Sequence, residues 1–344
     1  MSAPRIVPLE ADKVSSWNTF VAASPQASFF HSSGWKSVIE GALGHDCPYL
    51  MAMRGEEVTG ILPLVHLHTR LFGSALISTA FCSYGGPIAV DGESTAALDE
   101  AAQSLAERRD VEYLEYRFEA GSQRQWPTES ALYATFRKRI PADPDALFAS
   151  IPRKRRAELR KAFHHGLEAR REEDIDRFYA LYARNMHRHG TPAQTRRYFR
   201  ALKDAFGAAC QCTLVTRQGE PISGVVSFRF RDTLLPYHAG TSEEERRLRA
   251  HDFMYWDLMR GMAEQGGGEF DFGRSKVGTG AFTYKRSWGF GSVPLHYQYL
   301  LLRRSELPRF NPLNPKYRLL ISIWKRLPFR VANLLGPPIA RGLG

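Results

Sequence analysis

Phe270 to Phe290 reads FDFGRSKVGTGAFTYKRSWGF. Phe270 and Phe272 alternate with Asp271, which predicts a strand with both rings on one face and the carboxylate on the other. The strand breaks at Gly273. A Gly278-Thr279-Gly280 turn follows, then an aromatic-basic cluster with Phe282, Tyr284 and Trp288. Four cations (Arg274, Lys276, Lys285 and Arg286) fall within thirteen residues of one another. Cations beside flexible backbone and aromatic walls have the composition of a pocket for a bulky anionic ligand. A solvated basic loop needs neither the rings nor the glycines.

Outward from this stretch the chain repeats an order of elements. In the first half, Ala11 to Ala23 and a stretch from Ser32 read as helices. Strands follow at Tyr49 to Met53, Gly60 to His66 and Leu71 to Thr79, then a helix from Ser94 to Arg108 and a strand from Val111 to Phe118. In the second half, Asp143 to Gly166, Asp174 to His189 and Arg196 to Ala205 read as helices. Strands follow at Cys212 to Arg217, Ile222 to Arg231 and Thr233 to Gly240, then a helix from His251 to Gln265 and the strand at Glu269 to Gly273. Helices, a meander, a helix and a strand in each half predict a duplicated α/β domain with a mixed (α+β) sheet, not a doubly wound parallel one. The 344 residues fit two domains, placed at 1–145 and 146–304 with a basic tail at 305–344.

With 43% apolar and 24% charged residues the chain reads as globular. Its net charge of +11 is uneven: from Arg303 to Gly344 there are nine cations and one acid, and Arg153 to Lys161 has six cations and one acid. Such blocks imply anionic partners, whether nucleic acid, lipid headgroups or phosphorylated substrates. The opening MSAPRIVPLEADK has no apolar run, and no apolar segment approaches the ~20 residues of a membrane span, so a cytoplasmic protein is expected. Cys47, Cys82, Cys210 and Cys212 lack metal or redox spacing, and the paired histidines lack a companion ligand, so no metal site is expected. There is no nucleophile elbow, Walker loop or dinucleotide fingerprint.

Four segments carry a family resemblance: Phe29 to Trp35 (FFHSSGW), Tyr84-Gly85-Gly86-Pro87, Pro152 to Arg156 (PRKRR), and Asp271-Phe272-Gly273 with Tyr284-Lys285-Arg286-Ser287-Trp288-Gly289. Together they resemble the FemAB-type transferases, built of two acetyltransferase-type (GNAT) domains in tandem. The 270–290 stretch and Asn311 to Lys316 resemble, more narrowly, the FemAB-related subgroup associated with exosortase/PEP-CTERM exopolysaccharide systems.

The resemblance implies an acyltransferase that uses aminoacyl-tRNA or acyl-CoA as donor and binds no resident cofactor. It implies an amine on a lipid- or nucleotide-linked sugar precursor as acceptor. It places Lys285 at the donor or transition-state site, where a cation stabilises the developing oxyanion. Asp271 either accepts a proton from, or orients, the attacking amine, or is a strand-end carboxylate paired with Arg274 or Lys285. Arg274, Ser275, Lys276, Tyr284 and Trp288 would line the donor pocket. Tyr237 and His238 either line the cleft or belong to the core. Arg153 and Arg155 either hold phosphates or form a solvated basic face. Trp35, Lys36 and Tyr84 mark a first-domain cleft, with Trp35 alternatively core. Where acyl-CoA enzymes hold pyrophosphate on a glycine-rich loop, this chain has Arg246-Arg247-Leu248-Arg249-Ala250-His251-Asp252, with arginines but no glycine. Tyr317 to Leu327 (YRLLISIWKRL) reads as a basic amphipathic helix, suited either to the inner-membrane surface or to a C-terminal cap on the protein.

Overall fold

The computed structural model describes residues 2–69, 72–121, 124–308 and 315–343, so Leu71 and the Asn311–Asn314 part of the motif lie outside the described residues. The chain forms two compact units: Met1–Leu132 with Pro294–Phe310 and Arg341–Gly344, and Tyr133–Val293 with Asn311–Ala340. This division departs from boundaries at 145 and 304 because of two strands. Tyr133–Ile140 pairs antiparallel with Gly268–Asp271 and so joins the second unit. His296–Leu301 pairs antiparallel with Tyr113–Phe118 and so joins the first.

In the first unit one sheet runs Arg5–Pro8, Leu50–Arg54, Glu57–Leu62, Ile88–Ala89. A second runs Leu64–Thr69, Gly73–Ser78, Tyr113–Phe118, His296–Leu301, Thr128–Glu129. Pro63 lacks a backbone N–H, and it separates the two sheets. The Gly92–Arg108 helix, capped by Asp91 accepting from the Ser94 N–H (2.8 Å), links Gly73–Ser78 to its parallel neighbour Tyr113–Phe118. Leu98, Ala102 and Ala106 on one face of that helix are buried against Leu62, Leu64, Leu76 and Leu114.

The second unit repeats this plan. Its sheet runs Glu168–Arg171, Cys210–Arg217, Glu220–Phe230, Thr233–Thr241, Gly268–Asp271, Tyr133–Ile140, Ser275–Lys276, with Gly291–Pro294 also on Tyr133–Ile140. The Ala250–Ala263 helix buries Met254, Tyr255, Met259 and Met262 in the core with Phe270, Phe272, Trp288 and Phe290. The Ile175–His189 helix also packs on this sheet. It settles where two glycines face each other across neighbouring strands, Gly224 opposite Gly240. A Cβ at Gly240 would lie 2.7 Å from the Tyr182 Cα, so only glycine lets the helix backbone approach this closely.

The expected helix from Asp143 to Gly166 is two helices, Pro144–Ser150 and Arg153–Phe163, because Pro152 forces Ile151 into an extended conformation (ψ 135°). The aromatic-basic cluster contains a short helix, Gly280–Arg286, capped by Thr279 Oγ1 accepting from the Phe282 N–H (3.3 Å). The tail forms two helices, Pro315–Arg326 and Phe329–Ala340, packed on Ile175–His189. His187 Nε2 meets the Leu327 carbonyl at 2.9 Å and the Tyr179 hydroxyl donates to Asn333 Oδ1 at 3.1 Å. The C-terminal cap is thus realised on one face of the tail. No helix among the described residues is long and apolar enough to cross a membrane.

Candidate active site

The opening that defines the site is a parallel ladder that stops early. Thr233–Thr241 and Gly268–Asp271 pair only at Thr233↔Glu269 and Leu234↔Phe270. Beyond Leu234 the first strand runs on to Thr241, and among the described residues its strand pairing there is with Glu220–Phe230. A strand end of this kind suits backbone hydrogen bonds to an extended substrate. Tyr237 sits at this point as the extra residue of a β-bulge, since Val226 pairs with His238 and Ser227 with Pro236. A bulge bends the strand and re-aims its side chains.

His238 is half-buried among aromatic rings. Its ring lies against Tyr182, Tyr198, Phe199 and Tyr237, and Nε2 meets the Tyr198 hydroxyl at 3.2 Å. Burial lowers its pKa to about 3, so its ring is neutral.

Asp271 ends the shorter strand and is wholly buried. Oδ1 accepts from Thr135 Oγ1 (3.0 Å) and the Gly273 N–H (2.7 Å), and Oδ2 accepts from Arg137 Nε (2.8 Å). Thr135 and Arg137 both lie on Tyr133–Ile140, the strand that crossed into this unit. Arg137, directly opposite Asp271 in register, is a partner the sequence did not disclose.

Lys285, in the last turn of the Gly280–Arg286 helix, reaches back to the end of the same strand. Its Nζ donates to the carbonyls of Gly273 (2.9 Å) and Arg274 (3.1 Å). An ammonium has three N–H groups, and the third has no acceptor among the described residues. Burial pulls its pKa down to about 7, partly opposed by the Asp271 charge and reinforced by Arg274. The Arg274 guanidinium covers the Tyr133 ring at 4.8 Å. Ser275 is buried with Oγ unbonded, and Lys276 is half-buried.

Next to Lys285 lies a hub around Asp252, which the sequence places at the end of the Arg246–Asp252 loop without giving it a role. Asp252, in the first turn of Ala250–Ala263, accepts from Arg155 Nη1 (2.6 Å) and the Tyr284 hydroxyl (2.8 Å) through Oδ1. Arg155 also donates to Ser287 Oγ and covers the rings of Tyr284 (4.8 Å) and Trp288 (5.4 Å). Arg155 is thus a clamp joining three helices, while Arg153 is exposed. Tyr284 has its pKa raised by burial and the nearby Asp252 charge, so its hydroxyl stays protonated. Trp288 is fully buried in the core beneath the clamp. His251 stacks on Tyr255 (4.8 Å), and burial with the Arg155 charge lowers its pKa to about 4. An acid in a helix's first turn is a visible signal for Asp252. Its partners Arg155 and Tyr284 lie 97 and 32 residues away, which sequence spacing does not disclose.

A carboxyl group lies near the N-terminus of the Ala250–Ala263 helix: the Glu245 pKa is raised by burial and by the nearby Asp252 charge, partly opposed by the His251 backbone N–H. Arg249, the residue before the helix, adopts the left-handed conformation (φ 55°) that favours glycine, and it pairs with Glu158 at 2.7 Å.

In the first unit, Trp35 is fully buried against Phe29 (5.8 Å) and Phe30 (6.0 Å), and Tyr84 packs edge-on to Phe30 at 5.0 Å. Both are core. Lys36 Nζ is engaged by Glu40 (2.6 Å) and the Cys47 carbonyl (2.7 Å). The conspicuous buried charges of this unit are Glu115 and Arg117, paired at 2.6 Å, with Arg117 also donating to the Cys82 carbonyl (3.0 Å). Sequence reading missed this pair because both residues sit in an alternating strand pattern. Among the described residues no cluster of three or more His, Cys, Asp or Glu side chains is arranged to hold a metal.

Residues 152–286 match the family of acetyltransferase (GNAT) domains. A crystal structure of FemX superposes with a TM-score of 0.66 at 15% identity, covering 92% of this chain and 100% of that one. The C-terminal domain of a putative lysylphosphatidylglycerol synthetase from Agrobacterium fabrum gives 0.55 at 12% identity, covering 86% and 93%. A tandem GNAT protein from the clavulanic acid biosynthesis pathway gives 0.51 at 13% identity, covering 88% and 100%. No curated protein matches the sequence. The fold is a tandem GNAT fold, and with a GNAT domain at 152–286 the protein is an N-acyltransferase.

Proposed function

We propose that the protein transfers an aminoacyl or acyl group from an activated donor onto an amine of a cell-envelope or exopolysaccharide precursor. The observation that carries this is the opening between Thr233–Thr241 and Gly268–Asp271, with the Lys285 amine fixed at its edge and one N–H unspent. In the reaction the acceptor amine attacks the donor carbonyl. A C–N bond forms, the C–O bond to a tRNA ribose (or the C–S bond to CoA) breaks, and the amine's proton leaves with the departing oxygen or sulfur or to water. The donor is already activated, so the protein's task is positioning and charge stabilisation. Lys285 in its cationic form stabilises the oxyanion. Asp271 acts as a positioning residue: three donors hold its carboxylate, and its charge supports the lysine's.

Two observations favour an aminoacyl donor over acyl-CoA. The Glu245 carboxyl lies near the helix N-terminus where pyrophosphate would otherwise sit, and Asp252 in the first turn places a second carboxylate beside it. Likeness to FemX and to a lysylphosphatidylglycerol synthetase domain points the same way. The GNAT domain match keeps acyl-CoA as the second reading. A link to exosortase/PEP-CTERM exopolysaccharide systems is part of the same proposal and rests on the resemblance of the 270–290 stretch. A lipid-linked acceptor would be met at the inner-membrane surface by a protein that is otherwise cytoplasmic.

Lys285→Ala tests the mechanism. Transfer should be lost while near-UV circular dichroism stays native. Full activity in a folded Lys285→Ala protein would remove Lys285 from the chemistry.

A further inference from the structure

The Phe329–Ala340 helix is amphipathic in the wrong direction for a simple cap. Its inner face buries the small residues Ala332, Gly336 and Ala340, spaced four apart. Its outer face presents Val331 (40% exposed), Leu334 (77%) and Leu335 (48%). A helix that existed only to pack would turn its large apolar side chains inward. Ile323 on the preceding helix is 50% exposed as well. Ten large hydrophobic side chains are exposed among the described residues, and four of them lie on this one hairpin, so the patch is concentrated rather than scattered.

The charge around the patch has a single sign. Lys325, Arg326 and Arg330 are exposed, and none has an ion-pair partner among the described residues. The sequence has no acid after Glu306. The exposed apolar residues are all aliphatic, whereas protein interfaces centre on buried aromatic anchors.

We propose that the outer face of the tail hairpin is a docking surface for an anionic lipid bilayer. Leu334, Leu335 and Val331 enter the boundary between headgroups and acyl chains, and Lys325, Arg326 and Arg330 meet the phosphates. The inner face fastens the second unit to that surface through Ile175–His189. The proposal deepens the reading of a membrane-displayed acceptor, but its physical basis is independent of it.

The test is co-sedimentation of the full chain with vesicles, with no donor or acceptor present. Mixed phosphatidylglycerol–phosphatidylcholine vesicles should bind it at about 0.1 M salt, and pure phosphatidylcholine should bind far more weakly. Replacing Lys325, Arg326 and Arg330 together by Ala should weaken binding about a hundredfold. Leu334→Ser with Leu335→Ser should weaken it at least about tenfold. All five side chains are exposed, so thermal unfolding should not change. Equal binding to both vesicle types, no binding to either, or unchanged binding of the leucine variant would overturn the proposal. So would concentration-dependent dimerisation that the leucine variant abolishes without any vesicle binding, which would assign the face to a second copy of the chain. Transfer to a water-soluble amine should be unchanged in both variants, so a failure of the transfer reading and a failure of docking are told apart.

Discussion

Lys285 makes a quantitative demand on the folded state. Its amine belongs near 10.5 in water and is brought to about 7 here, chiefly by burial. Below pH 7 both folded and unfolded chains carry the proton, and the folded state bears the full cost of the buried charge. Between about 7 and 10.5 the unfolded chain holds a proton that the folded one has released. Raising the pH therefore favours the folded state. From about pH 7.5 to about 9.5 the two limits give a gain of at most about 2.5 kcal/mol, which half-burial of the side chain trims to about 1–2.5. Lys285→Met lacks the titrating group and should show none of this gain. The assay is urea unfolding of both proteins across that range, read as the difference between them, which cancels every other titration. A second readout is direct. In protein labelled at the lysine ε-carbon, the NMR resonance lost in Lys285→Arg should titrate near 7. Parallel stability curves, or a resonance that titrates above 10, would refute the argument that this amine is desolvated.

Four further outcomes follow from the same structure. If the cationic amine stabilises the oxyanion, kcat should fall tenfold per pH unit above about 7, and Lys285→Arg should flatten that fall; a rate that rises with pH would make the amine a base instead. Asp252→Asn should destabilise the second unit by about 3 kcal/mol, seen in thermal unfolding, because Arg155 is left as a poorly exposed charge without its carboxylate. Gly240→Ala should cost about 1–3 kcal/mol by forcing the Ile175–His189 helix off the sheet, and a neutral result would show that the helix gives way freely. Glu245→Gln should raise acetyl-CoA affinity about two- to fivefold in calorimetry by removing a carboxylate from the helix N-terminus; no change would show that Glu245 does not govern donor choice.

What was legible in the sequence was what local pattern controls. The alternating rings of Phe270 and Phe272, the duplicated order of elements and the helices expected at Ser94–Arg108, Asp174–His189 and His251–Gln265 stand within a few residues of where periodicity places them, whereas Asp143 to Gly166 breaks at Pro152. The sequence reading assigns no element to Tyr133–Ile140, whose eight residues contain three cations; one of them, Arg137, pairs with Asp271. The Gly280–Arg286 helix is too short for its own periodicity to show, and it is held by Thr279 and by packing. The exchange of Tyr133–Ile140 and His296–Leu301 between the units is a matter of long-range pairing, on which local pattern is silent. For the site, Lys285 and its neighbours were visible as a composition. That Arg155 clamps Asp252 rather than meeting a phosphate, and that Trp35 and Tyr84 are core, depends on contacts between residues far apart in the chain.

The central claim is a positively charged acyl-transfer site that takes an aminoacyl rather than a CoA donor. Its most direct test is side-by-side binding of the purified protein to charged tRNA, uncharged tRNA, acetyl-CoA and a long-chain acyl-CoA, titrated with salt. The account predicts preference for charged over uncharged tRNA, weakening steeply with salt, and only weak binding of either CoA ester. Tight binding of a CoA ester with no discrimination between the two tRNAs would contradict it.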